Sequence, residues 1–289
     1  MRESLTEFVV FGLKEMRACI FPGAFFAILL ISKLVHVPGI PRYDLIFLLT
    51  ITLQVLLLLF KIETLDEAMT LVAFHVIGLV LELFKTHPAI GSWSYPESGF
   101  LKIGGVPLYS GFKYAAVGSY LCQAWRIFKL ELYNYPSYWL SVPLAIAIYA
   151  NFFAHHFTGY DLRWWLMLTV LIVFRRAVVR FTVWRGRNRE MPLAVAFFLI
   201  GFFIWVAKNI ATYLGAWAYP EQQRSWQLVS LGKISSWFLL VIISFVIVAD
   251  LKYVRGKRRD VVVREGESNS PGVDESASPL ARVAKRTQG

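Results

Sequence analysis

The chain has 289 residues, 57% of them hydrophobic and 17% charged, with a mean hydropathy of +0.54. Soluble domains are less apolar and about one quarter charged, so these values exclude an ordinary soluble globular protein. The formal net charge of +11 does not point to nucleic acid, because the cations sit between apolar runs and in one tail.

Residues 1–16 mix charges with hydrophobes and lack a small-residue cleavage site, which predicts an interfacial amphipathic helix and not a cleaved signal peptide. Eight apolar runs follow, at roughly 17–35, 43–61, 67–85, 106–128, 138–157, 161–179, 192–212 and 228–250. Each is near the ~20 residues with which a helix crosses a bilayer. Pro and Gly punctuate the gaps, as at Pro38, Pro88, Pro136 and Pro220. The sixth run is the shortest, and Arg175 and Arg176 at its end have to reach toward the headgroups. Residues 253–289 turn to Ser, Glu, Gly, Pro and Arg without aromatics, the composition of a disordered tail. Cys19 and Cys122, the two cysteines, make neither a metal motif nor a disulfide framework.

One phrase occurs twice. Gly91-Ser-Trp-Ser-Tyr-Pro-Glu97 returns 124 residues later as Gly215-Ala-Trp-Ala-Tyr-Pro-Glu221. The same offset carries runs one to four onto runs five to eight, which predicts a duplicated unit. The expected fold is therefore all-α, a polytopic membrane bundle of about eight helices in two parallel four-helix repeats, 17–128 and 138–252. An even number of spans per unit gives both copies one orientation. Of the cations near span ends, 17 fall on one face and 7 on the other. The positive-inside rule makes the first face cytoplasmic. The expected placement is a cell membrane, with both termini inside and both repeated phrases outside.

Interfacial Trp and Tyr explain much of the phrase as membrane anchoring. Its Glu adds a possible acid, so Trp93, Tyr95, Glu97, Trp217, Tyr219 and Glu221 are candidate site residues. Glu82 and His87 lie at the outer end of the third run, and an ionisable group in hydrocarbon is a functional candidate. Glu82 shares a helix face with Lys85 and Thr86, the expected partners there. Asn151 and His155 are four apart and face one way, with His156 and Asp161 close by: the densest set of proton-transfer groups in the chain. His155, His156 and Asp161 are also the candidate ligands for a divalent metal; no nucleotide motif is present. His75, deeper in the third run, is expected in a helix–helix hydrogen bond. The titratable cluster is not duplicated: Glu82, His87, Asn151, His155 and His156 have Val206, Ala211, Ala27, Ile31 and Ser32 at the corresponding positions. The second copy offers Lys208 and Asn209 instead, which suggests one asymmetric site lined by both halves.

The phrases from Lys85 to Glu97, from Gly105 to Tyr114 and from Asn151 to His156 resemble the bacterial integral-membrane family called domain of unknown function 817, over about residues 5–252. The resemblance implies a multi-pass membrane protein and no assigned activity. A looser similarity, confined to Gly105-Val-Pro-Leu108, links the chain to membrane carotenoid hydratases and lycopene cyclases. The leading expectation is an enzyme acting on a lipid or isoprenoid, with Glu82 or Glu97 as acid and His155 and His156 as base or ligands. A transporter with its site between the repeats and a non-catalytic scaffold are the alternatives. The lipid bilayer is the expected partner; the sequence identifies no protein partner.

Overall fold

The computed structural model describes residues 2–249, and these are mostly helical. The expected tail, 253–289, lies outside the described residues. The helices are α1 (Arg2–Ala18), α2 (Ile20–Leu34), α3 (Arg42–Leu59), α4 (Leu65–Thr86), α5 (Phe112–Ile127), α6 (Tyr138–Thr158), α7 (Arg163–Val173), α8 (Leu193–Tyr213) and α9 (Leu231–Ala249). Every expected apolar run contains a helix. Among the described residues α3, α4, α6, α8 and α9 are long and apolar enough to cross a membrane, and α1 with α2 forms a sixth candidate bent by 63°. α5 and α7 have 16 and 11 residues and are shorter than the runs that predicted them.

The reasons are local. Thr64 and Glu67 form a capping box that starts α4: the Thr64 hydroxyl accepts from the Glu67 amide at 3.2 Å, and the Glu67 carboxylate accepts from the Thr64 amide at 2.9 Å. α5 begins six residues later than its apolar run. Lys102–Ile103 and Val106–Pro107 pair as a short antiparallel hairpin, β1 and β2, ahead of a 3-10 turn at Leu108–Gly111. The run expected to continue as helix to 179 ends at Val173 and turns into strand. Glu131–Tyr133 (β3), Val178–Thr182 (β4) and Asn188–Pro192 (β5) form an antiparallel sheet in that order. Hydropathy alone did not predict it. β4 is built from Val178, Val179, Phe181 and Thr182, residue types that fit a pleated surface. Its hairpin turns at Trp184–Arg187 with Arg185 at φ +49° and Gly186 at φ +71°, the two positive φ values of a type I′ turn.

The sheet marks one end of the molecule. Arg187 and Arg189 of the hairpin pair with Glu3 and Glu7 of α1 at 2.6 and 2.7 Å, and Lys14 donates to the Thr182 carbonyl at 2.9 Å. The outward face of α1 then carries exposed Leu5, Phe8, Val9, Leu13 and Met16, the spacing of an amphipathic helix. α6 leaves this end just after β3 and closes at Gly159, in the left-handed conformation of a helix C-cap. α7 brings the chain back: Leu162 is tied to Asn151 at the far end of α6, while Val178 pairs with Tyr133 at its near end. Both repeated phrases sit at the far end. They meet in an isolated antiparallel bridge, where Ser94 and Ala218 exchange amide–carbonyl hydrogen bonds of 2.9 and 3.1 Å.

Candidate functional site

Glu82, on α4, is fully buried and has all four acceptor positions of its carboxylate filled. Oε2 accepts from the Trp93 indole at 2.6 Å and the Tyr95 hydroxyl at 2.5 Å. Oε1 accepts from the Tyr114 hydroxyl at 2.8 Å and lies 3.0 Å from Lys113 Nζ. Lys113, from the first turn of α5, also donates to the Tyr95 hydroxyl at 2.6 Å and sits 4.1 Å from the Trp217 ring centroid. The carboxylate thus ties α4 and α5 to the first repeated phrase, and Lys113 extends the network to Trp217 of the second. The sequence-based pairing of Glu82 with Lys85 or Thr86 does not form between side chains. Thr86 instead donates to the Glu82 backbone carbonyl at 2.8 Å, and Lys85 turns toward α6. Helical spacing gave the right face of α4, but α5 brought a better partner.

Beside this network lies a cavity of about 320 Å³ between α4, α6, α9 and the far-end loops. Its polar side holds Lys85, Asn151, His155, His156, Asp161 and Arg163; its apolar wall is Ile148, Leu239, Leu240 and Ile243. Lys85 is 3% exposed and donates to the Phe152 carbonyl at 2.9 Å, with His156 Nε2 at 2.6 Å. An ammonium only donates, so His156 presents a lone pair at Nε2 and carries its proton on Nδ1. His155 Nδ1 lies 2.8 Å from the Asn151 carbonyl, which can only accept. That contact places the neutral ring's proton on Nδ1 and leaves Nε2 a base. The two imidazole centroids are 3.9 Å apart.

Asp161 closes the loop after α6. It accepts from the Asn151 amide at 3.2 Å and the Arg163 backbone N–H at 3.0 Å, and pairs with the Arg163 guanidinium at 2.7 Å. Partial burial pushes its carboxyl up, but these contacts outweigh burial and hold it below the ordinary carboxylate value. Glu221 is likewise lowered: burial opposes ionisation, and the Lys233 ammonium at 2.9 Å overcomes it. Lys233 also lies 3.6 Å from the Tyr219 ring centroid, and Tyr219 meets Trp93 edge-on.

The structure therefore gathers Asn151, His155, His156 and Asp161 at one cavity, with Trp93 and Tyr219 also lining it. Glu82 and Tyr95 stand behind Trp93. His87 caps α4 on the exposed surface, its ring accepting from the Ala89 amide at 3.3 Å. Glu97 pairs with Arg42 at 2.6 Å, and that guanidinium also donates to the Leu214 and Gly215 carbonyls, clamping one phrase to the other. Asn209 braces the loop before α9 by accepting from the Val229 amide at 2.8 Å, and Lys208 lies against the rings of Trp217 and Trp237. His75 departs from expectation: its Nδ1 is buried without a hydrogen-bond partner among the described residues, and its ring packs on Phe112 at 4.3 Å. Among the described residues no three His, Cys, Asp or Glu side chains converge to hold a metal ion. His155, His156 and Asp161 do not form the expected ligand set, because His156 faces an ammonium and Asp161 is committed to Arg163.

Sequence reasoning missed Lys113, Arg42 and Asp44. Asp44 is buried at the start of α3 and accepts from the Phe100 and Leu101 amides at 2.7 and 2.9 Å, fixing the loop that leads into β1. Lys113 had a usable signal: a lone cation inside an apolar run whose burial demands an anion. Arg42 and Asp44 had none, since charged residues at a span boundary are ordinary.

The fold and the site define a mostly helical protein with at least five helices fit to cross a membrane and a polar cavity at one end of the bundle. The chain belongs to the family described as "Protein of unknown function (DUF817)", which it matches over residues 7–245. It is 53% identical over 252 residues to "Uncharacterized protein YoaT" of Bacillus subtilis (strain 168), covering 87% of this chain and 94% of that relative. No solved structure matches the chain.

Proposed function

We propose that the chain is a membrane-embedded enzyme that acts on a lipid or isoprenoid at this cavity, with His155 as the proton acceptor. The observation that carries the reading is the meeting of an apolar wall with an imidazole whose Nδ1 is held by the Asn151 carbonyl, so that Nε2 is the nitrogen presented for proton transfer. An amphiphile entering from the bilayer lays its chain along Ile148, Leu239, Leu240 and Ile243. Its reacting group then stands at the His155 and His156 edge. Asn151 and Asp161 set the α6–α7 turn and so the position of His155, while Glu82 holds the Trp93 wall in place. The test is comparative lipid profiling of a deletion strain complemented with the native chain or with His155→Ala. The native chain is expected to restore a changed lipid species and the variant, at equal membrane abundance, to fail. Equal restoration by both removes His155 from the chemistry.

The finer architecture in this proposal is eight crossings in two four-helix units of like orientation, termini and sheet cytoplasmic, cavity outside. The excess of cations at the sheet end of the helices supports the orientation. The duplication draws support from equivalent positions. Ser94 bridges Ala218, 124 residues on, antiparallel as a two-fold axis between copies requires. Gly91 and Gly215 both take positive φ, +56° and +73°. Tyr95 packs edge-on against Tyr109, and at the matching positions Tyr219 packs against Lys233. A transporter is the second reading, favoured because the cavity is lined by α4 of one unit and α6 and α9 of the other. Uptake of a solute by proteoliposomes, abolished by His155→Ala without any lipid product, is the result that selects it.

A further inference from the structure

The cavity holds more hydrogen-bond donors than the protein itself accepts. Lys85 is nearly buried, yet its ammonium has two polar partners, the Phe152 carbonyl and His156 Nε2. An ammonium carries three N–H donors, and the third meets the face of the Phe152 ring, 3.7 Å away at its centroid, without an oxygen or nitrogen acceptor. Trp237 of α9, also lining the cavity, is 4% exposed, and its indole N–H meets no acceptor among the described residues. Buried donors are nearly always satisfied in folded proteins, so a missing acceptor at a cavity points to a bound group.

The charge balance points the same way. Asp161 is matched by Arg163, Glu82 by Lys113 and Glu221 by Lys233. Lys85 has no carboxylate of its own. A positive charge without its own carboxylate at a largely apolar cavity is costly unless a counter-charge arrives.

We propose that the cavity binds an amphiphile with an oxyanion headgroup, phosphate in class, which accepts from Lys85 and the Trp237 indole while its chain follows the apolar wall. The proposal rests on the reading of the cavity as a lipid site and specifies the headgroup. Charge-assisted hydrogen bonds are the strong ones in such a site, and a planar indole N–H adds direction.

The experiment measures saturable binding of radiolabelled dodecyl phosphate to the full chain in phosphatidylcholine nanodiscs, against protein-free discs. Dodecanol and inorganic phosphate serve as competitors. Native protein is expected to bind, with dodecanol and inorganic phosphate each competing poorly. Lys85→Met is expected to weaken binding about tenfold, the loss of one charge-assisted contact. Trp237→Phe, which keeps the ring and removes only the N–H, is expected to weaken it by a smaller factor. It serves as the second variant if Lys85→Met does not fold. Dodecanol competing as well as dodecyl phosphate, with Trp237→Phe unchanged, overturns the oxyanion headgroup and leaves the lipid site standing. Inorganic phosphate competing as well as dodecyl phosphate supports the oxyanion subsite and overturns the lipid reading. No saturable binding to the native protein overturns both.

Discussion

At the residue scale the decisive contact is the ion pair between Glu82 and Lys113. Both side chains are buried, and each is surrounded by aromatic rings. Removing one partner of such a pair leaves an uncompensated charge and typically costs about 3–5 kcal/mol. Lys113→Met alone is therefore expected to destabilise the protein by that order, and Lys113→Met with Glu82→Gln by clearly less. Thermal unfolding of the three purified forms in one detergent checks this; a double variant no better than Lys113→Met argues against a paired charge. Asp161 and Glu221 supply a pH test. Their folded-state values are lowered from the ordinary 3.8 and 4.5. Each contributes stability that is fully present above those values and lost as pH falls through the lower, folded ones. The loops they hold are expected to stay closed from pH 7 to 5 and to open only in stronger acid. Indole fluorescence at the Trp93 and Trp237 cavity reads this, and a transition near pH 6 contradicts the assignment.

At the element scale the three-stranded sheet organises one end. It collects the C-terminal end of α7 and the N-terminal ends of α6 and α8, and it holds α1 by paired charges. The type I′ turn is its weak point, because only glycine takes φ +71° at no steric cost. Gly186→Val is expected to cost about 1–2 kcal/mol, the penalty of a left-handed conformation for a residue with a Cβ. Denaturant unfolding measures it, and a neutral result means that the turn is not formed as described. α7 shows how short an element can be when its ends are fixed elsewhere. Eleven helical residues reach about 16 Å, and the four residues to Ala177 complete the return to β4.

At the scale of the whole molecule the repeated phrases face each other. Ser94 and Ala218 form a hydrogen-bonded antiparallel pair, a geometry with Cα atoms about 5.5 Å apart. That falls inside the range a disulfide spans. Ser94→Cys with Ala218→Cys, in a chain whose Cys19 and Cys122 are replaced by Ser, is expected to close a disulfide on mild oxidation. A gel-mobility shift reversed by reductant reports it; free thiols at both positions after oxidation would falsify the pairing.

The sequence by itself determined that each apolar run holds a helix, because apolar runs and Pro and Gly punctuation act locally. It also determined that His155 and Asn151 share one face of α6, because helical spacing fixes that without help from the rest of the chain. It placed the recurring glycine correctly in both copies without revealing why, since the positive φ at Gly91 and Gly215 is a property of the folded turn. Only the tertiary structure decided the partners. Glu82 is paired across helices by Lys113 and not along its own helix by Lys85, because a buried carboxylate takes the cation that packing delivers. The same packing frees Lys85 to reach His156 and turns a scatter of polar residues into one cavity. The sheet, too, was outside the reach of hydropathy: β3 and β4 are more than forty residues apart, and their pairing depends on α6 and α7 returning the chain to one place.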